Sequence, residues 1–213
     1  KLFITPGVPD PFSTFVPSFL SLEEISVAVS EGARLGIPTA AHCIGGQGLK
    51  DCIDGGVDVI EHMYMATEQD VDRLASSRCV VDLTSGIFLD PSREEFLSPA
   101  NALKVRQNRS RVRENVSRII KARLPFVLGT DAYHGLLYRE VGYAVELGAA
   151  PVTAIQGVTS HAAKVCRLED RIGKLENGLE ADIIAVKGNP LKDVSRLSQV
   201  GLVMKGGVIY RQP

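Results

Sequence analysis

Ile37-Pro-Thr-Ala-Ala-His-Cys43, Gly45-Gly46, Leu49 to Ile53, Gly55-Gly56 and Val57-Asp-Val-Ile-Glu-His62 together form the stretch that decides the fold. Two short apolar runs flank a segment that can hold only a brief helix, and glycine pairs mark both junctions. A strand, a helix and a second strand in this order make the strands parallel, because the helix carries the chain back to the starting edge. Both strands end in histidine, at His42 and His62. A third apolar run, Leu124 to Leu128, ends in Gly-Thr-Asp131, so three strand ends present side chains of metal-ligand type.

The same alternation extends outward in both directions. Upstream, Lys1-Leu-Phe-Ile-Thr5 reads as a strand already under way with no leader ahead of it, so the chain is expected to continue before Lys1. Pro6-Gly-Val-Pro-Asp-Pro11 follows as a loop, since each proline restricts itself and its predecessor. Ser21-Leu-Glu-Glu24 has capping-box spacing and predicts a helix over Ile25 to Leu35, closed by Gly36. Downstream, Thr67-Glu-Gln-Asp70 caps a helix through Val71 and Leu74, and Cys79 to Leu83 is a fourth strand. Thr84 to Pro99 shows no period and is long enough to be a lid or binding loop. A basic helix over Ala102 to Arg123 comes next, with Leu103, Val112, Val116, Ile119 and Ile120 on one face, and leads to a fifth strand, Pro125 to Thr130.

Helices are expected over Arg139 to Leu147 and Pro151 to Val165. From Glu169 the texture changes to a turn-rich link, a strand over Ala181 to Val186, and a hairpin of Val200 to Val203 with Val208 to Tyr210 around Lys205-Gly-Gly207. The expected organisation is therefore an α/β body over residues 1–168 and a small β unit over 169–213.

A formal net charge of -1 over 213 residues, 45% of them hydrophobic, gives no electrostatic reason for a nucleic-acid or membrane partner. The basic helix lacks aromatic interleaving and reads as a solvated outer face. Cys43, Cys52, Cys79 and Cys166 form no C-x-x-C pair and read as buried thiols in a reducing, cytoplasmic compartment, although a targeting signal could stand upstream.

Mostly apolar strands alternating with helices imply a parallel sheet, either doubly wound or part of a (β/α)8 TIM-type barrel. Alternation along the strands puts Ala40 with His42, Ile60 with His62, and Gly129 with Asp131; if those faces point inward, the three polar ends converge at one mouth. Neutral imidazole and carboxylate suit zinc and similar ions. Tyr64, Tyr133 and His134 stand near these ends and are placed to orient or polarise a substrate, with loop packing as the equal alternative. Arg139 is either a clamp for a substrate carboxylate or a surface charge. His161 and Cys43 read as packing residues.

The pattern of His42, Val-Ile-Glu-His62, Gly-Thr-Asp131, Pro151 to Lys164, Gly173-Lys-Leu-Glu-Asn-Gly-Leu-Glu-Ala-Asp182 and Val-Met-Lys-Gly-Gly-Val208 resembles the amidohydrolase superfamily, within it the prolidase-like and imidazolonepropionase-related metal hydrolases. The resemblance implies barrel strands four to eight plus part of a small β-sandwich, with earlier strands outside these residues. Five strands cannot close an eight-stranded barrel, so these residues alone are expected to be insoluble or misfolded.

Carried over by motif, the resemblance makes His42, His62 and Asp131 metal ligands. Lys1, in Lys-Leu-Phe-Ile-Thr-Pro-Gly7, becomes a lysine carboxylated by CO2 that bridges two divalent ions, zinc being expected. The implied reaction is hydrolysis of a C–N bond in small substrates such as dipeptides or cyclic amides. A divalent ion lowers the pKa of water from about 15.7 to roughly 7, and Asp131 passes the proton to the leaving nitrogen. The alternatives are a deaminase with one metal and a non-catalytic scaffold. The expected partners are a small-molecule substrate and further copies in a homo-oligomer.

Overall fold

Short apolar strands alternating with capped helices produce the architecture of the first half of the chain. The computed structural model describes residues 1–131 and 134–212. They fall into two units, Lys1–Phe126 and Val127–Pro213. In the first, β1 (Leu2–Phe3), β2 (Ala40–Cys43), β3 (Val59–His62) and β4 (Val80–Leu83) pair in parallel in that order. β5 (Phe126–Leu128) follows β4, with the Val81 N–H donating to the Pro125 carbonyl at 3.1 Å. The fold is α/β with a parallel sheet, as the alternation predicts.

Register decides which row of side chains is covered. Ala41, Ile60 and Val81 are partners across three strands, and each is 0% exposed. Burying an isoleucine or valine of this kind contributes about 1.5–3 kcal/mol. The alternate row is Phe3, His42, Glu61 and Asp82, so the other face of the same sheet is polar.

The helices begin where capping chemistry allows. Ser21 accepts from the Glu24 N–H while Glu24 reaches back to the Ser21 N–H, opening α1 (Leu22–Arg34) with the expected box. Thr67 and Asp70 do the same for α3 (Glu68–Ala75). Replacing Ser21 with alanine is expected to lower stability by about 1 kcal/mol, measured by denaturant unfolding; no change would mean that the box adds nothing to helix docking.

Most strand and helix ends shift by a few residues from the expectation, and three segments differ further. α2 (Gly46–Asp54) starts before Leu49, because Gly48 lies inside the helix where a Cβ would meet Ile4 Cγ2 at 2.6 Å. Glycine there reflects close packing rather than a turn. Thr84 to Pro99 is structured, holding the short α4 (Gly86–Leu89) and a 3-10 turn over Pro91–Phe96. The helix expected over Pro151 to Val165 divides into α7 (Pro151–Gly157) and α8 (Ser160–Val165), with the Thr159 hydroxyl bonding back to the Ile155 carbonyl at 2.8 Å.

α5 (Pro99–Lys121) buries Val105, Val112, Val116 and Ile119 completely, while Leu103 is exposed, so the apolar stripe runs through Val105 instead. Its polar side is not simply solvated. Asn108 Nδ2 donates to the Pro9 carbonyl at 3.0 Å, Arg111 to the Asp10 carbonyl at 3.2 Å, Arg109 to the Phe88 carbonyl at 2.7 Å and Asn115 to the Tyr64 carbonyl at 2.9 Å. The helix therefore straps the loops that follow β1, β3 and β4. Among the described residues, no helix is long and apolar enough to cross a membrane.

The second unit contains α6 (Leu137–Glu146), α7, α8 and an antiparallel sheet of β6 (Ile183–Val186), β7 (Val200–Lys205) and β8 (Val208–Arg211), ordered β6-β7-β8. Gly206 and Gly207 both have positive φ, 55° and 80°, as the two-residue turn between β7 and β8 requires. Asp182 accepts from the Gly206 N–H at 2.8 Å and pairs with Lys205, and these donors hold its carboxyl below the ordinary range. That contact gives the Ala-Asp182 step of the motif a structural task.

Candidate metal centre

His42 occupies the polar row of β2, opposite Glu61 on β3. His62 is the register partner of Cys43, one step further on, where simple alternation points a side chain toward the helix-covered face. The backbone turns there: His62 has φ 79° and Met63 φ 54°. Such a conformation costs about 1–2 kcal/mol in a residue other than glycine. It brings the His62 ring beside that of His42, with centroids 4.4 Å apart and planes at 65°. The two histidines meet, but through a break in the pleat rather than through it.

Both rings are packed into place. His42 stacks on Phe3 at 4.2 Å, and its Nε2 lies 3.3 Å from the Pro6 carbonyl, which can only accept, so the Nε2–H donates. His62 Nδ1 lies 2.6 Å from the Thr84 hydroxyl, and Tyr64 Oη lies 2.6 Å from the same hydroxyl and donates to the Thr84 carbonyl at 2.9 Å. Tyr64 is buried and packs edge-on against Phe88, their centroids 4.5 Å apart. Burial first, then the neighbouring His42 and Lys1, pushes the His62 pKa down to about 3, so the ring is neutral near pH 7.

Lys1 Nζ pairs with Glu61 Oε2 at 2.5 Å, and the same oxygen lies 3.7 Å from His62 Nε2. Lys1, His42, His62 and Tyr64 are thus neighbours through Glu61 and Thr84, two residues for which the sequence offered no role. Glu61 sits in the quoted Val-Ile-Glu-His62 segment, and only the register shows it facing His42. Asp131 follows β5, is exposed, belongs to the second unit and has φ 56°. Arg139 lies half-buried on α6, its Nε donating to the Tyr138 hydroxyl at 3.3 Å. Tyr133 lies outside the described residues, as does the side chain of His134, whose backbone opens a 3-10 turn over His134–Leu136. Cys43, Cys52 and Cys79 are buried free thiols, whereas Cys166 is exposed. The Cys43 contact and burial raise the Cys52 pKa and keep that thiol protonated.

The donor chemistry fits a divalent ion of the zinc type. Two imidazoles stand side by side at C-terminal strand ends, His62 neutral, each with one ring nitrogen in contact with a protein oxygen. Among the described residues, no three His, Cys, Asp or Glu side chains come together as a set that could hold an ion by themselves. The imidazole pair could therefore supply only part of a coordination sphere.

The amidohydrolase family model matches residues 17–210. The ochratoxinase of Aspergillus niger is 31% identical over 92% of this chain and 43% of its own length. The imidazolonepropionase of Hahella chejuensis is 28% identical over 82% of this chain and 42% of its own. A crystal structure of a Xaa-Pro dipeptidase with methionine bound in the active site superposes with a TM-score of 0.85 at 32% identity, covering 98% of this chain and 53% of that one. The chain spans about half the length of the relatives it matches. It belongs to the amidohydrolase family.

Proposed function

We propose that the protein containing this chain is a divalent-metal hydrolase of C–N bonds in small amides, of the dipeptide or cyclic amide kind. The observation that carries this reading is the pair of imidazoles, His42 and His62, with ring centroids 4.4 Å apart at adjacent strand ends of an amidohydrolase-family chain. The named relatives, an ochratoxinase, an imidazolonepropionase and a Xaa-Pro dipeptidase, support the C–N bond class.

In this reading His42 and His62 are metal ligands together with Asp131 and a carboxylated Lys1, and zinc is the expected ion, two per protomer. The bound ions supply an activated water and a Lewis acid for the scissile carbonyl. Asp131 takes the proton of the attacking water and delivers it to the leaving nitrogen, the task of a general acid–base carboxylate. Tyr64, Tyr133, His134 and Arg139 are assigned to the substrate side. Residues 1–168 are read as strands four to eight of a (β/α)8 barrel with their helices, and 169–213 as part of a β-sandwich. The active assembly is read as a cytoplasmic homo-oligomer.

The alternative is a single-metal deaminase, which needs no carbamate and leaves Lys1 as the ammonium partner of Glu61, 2.5 Å away. Elemental analysis of the full-length protein separates the two. Two ions per protomer, one of them lost in Lys1→Ala, with hydrolysis within a panel of dipeptides and cyclic amides, is the expected result. One ion unaffected by Lys1→Ala supports the deaminase, and no ion bound to folded protein overturns both.

A further inference from the structure

Thr84 and Tyr64 form a hydrogen-bond chain whose direction can be deduced. A backbone carbonyl only accepts, so the 2.9 Å contact between Tyr64 Oη and the Thr84 carbonyl uses the single phenol proton. With the phenol proton committed to the carbonyl and not shared, the 2.6 Å contact between Tyr64 Oη and Thr84 Oγ1 is donated by Thr84, which uses its single hydroxyl proton. The 2.6 Å contact between Thr84 Oγ1 and His62 Nδ1 is left with one possible donor, the imidazole N–H. In this arrangement the longer 3.4 Å contact between His62 Nδ1 and Tyr64 Oη is also served from the imidazole N–H.

We infer that Thr84, oriented by Tyr64, is a positioning residue that locks His62 in its Nδ1–H tautomer and so presents the Nε2 lone pair for metal binding. The inference rests on the proposed metal reading and deepens it. It also explains why Tyr64 is buried two residues beyond His62: its phenol proton is spent on the Thr84 carbonyl, at the end of the neighbouring strand β4. The imidazole on its own has no comparable preference, since either ring nitrogen can carry the proton. His62 Nε2 then lies 3.7 Å from Glu61 Oε2, the oxygen that pairs with Lys1 Nζ at 2.5 Å. α5 supports the chain from outside, because Asn115 donates to the Tyr64 carbonyl at 2.9 Å.

The test uses the full-length protein with 15N-labelled histidine, and it has two readouts. NMR of the metal-free protein reports the His62 tautomer, and chelator competition reports zinc affinity. Wild type is expected to show Nδ1–H alone. Thr84→Val, which keeps the shape and removes the hydroxyl, is expected to admit the Nε2–H tautomer and to weaken zinc binding about 10–100-fold. Thr84→Ser is expected to restore both, and Tyr64→Phe to give a mixture of tautomers, because the Thr84 proton is then free to turn toward Nδ1. Wild-type His62 protonated on Nε2, or a Thr84→Val protein with unchanged tautomer, overturns the inference. Because the tautomer is read without metal and in wild type as well, the inference stays testable if Thr84→Val fails to fold. A wild type that binds no zinc yet keeps Nδ1–H would count against the hydrolase reading alone.

Discussion

Replacing Asp131 with asparagine in the full-length protein is expected to slow hydrolysis of any amide the wild type turns over by about 10²–10⁴-fold, the usual contribution of a positioned acid–base group. The substitution is chosen for its backbone. Asp131 has φ 56°, a left-handed conformation that asparagine adopts more readily than most residues, so the variant isolates the carboxylate from the turn that presents it. Asparagine keeps an oxygen that can accept a hydrogen bond but cannot take a proton near pH 7. The expected pattern is a collapse of kcat with an unchanged circular dichroism spectrum and thermal midpoint. A rate close to that of wild type would remove Asp131 from the reaction, and the chemistry would have to be sought among residues nearer Glu61.

The second large effect concerns stability. Arg93 is 0% exposed, and its Nε lies 3.6 Å from Asp90 Oδ2, whose carboxylate is itself buried. Asp90 also caps the 3-10 turn over Pro91–Phe96 by accepting from the Ser92 N–H at 3.1 Å. Removing one member of a buried ion pair leaves the other charge in a poorly solvated site, at a cost of about 3–5 kcal/mol. Asp90→Ala is therefore expected to destabilise the protein by that order in urea unfolding. Asp90→Asn retains an acceptor for the Ser92 N–H and separates the cap from the charge; it should recover only the capping share, about 1 kcal/mol. A loss below about 1 kcal/mol for Asp90→Ala would mean that the other contacts of Arg93 already balance its charge. This pair anchors the segment that follows Thr84, so the prediction also probes the support beneath the His62 clamp.

Much of this molecule is legible one residue at a time. The capping boxes at Ser21 and Thr67, the strands ending in His42 and His62, and the Gly206-Gly207 hairpin are local matters of hydrogen-bond reach and allowed backbone conformation, and each stands where its spacing predicts. Less legible was α5. Its many arginines and lysines suggest a solvated helix, yet Asn108, Arg109, Arg111 and Asn115 spend their donors on carbonyls of three separate loops. No periodicity reveals this, because the acceptors are backbone atoms, and every residue carries one. A faint signal existed in Asn108 and Asn115, seven positions apart and so on one side of the helix, flanking its apolar stripe.

The histidines mark the division most clearly. From order and composition alone follow a parallel α/β sheet, capped helices, and imidazoles at two adjacent strand ends, because those features depend on chain-local periodicity. Tertiary structure alone decided how the imidazoles meet. Register pairs His42 with Glu61 and leaves His62 one step out of phase, so strict alternation would separate the rings across the sheet. The positive φ at His62 and Met63 undoes that separation, and Thr84 from the next strand receives the turned ring. Strand pairing fixes the phase between neighbours, and phase is a relation between segments distant in sequence; the residues that respond to it, Glu61 and Thr84, acquire their roles only when the sheet has formed.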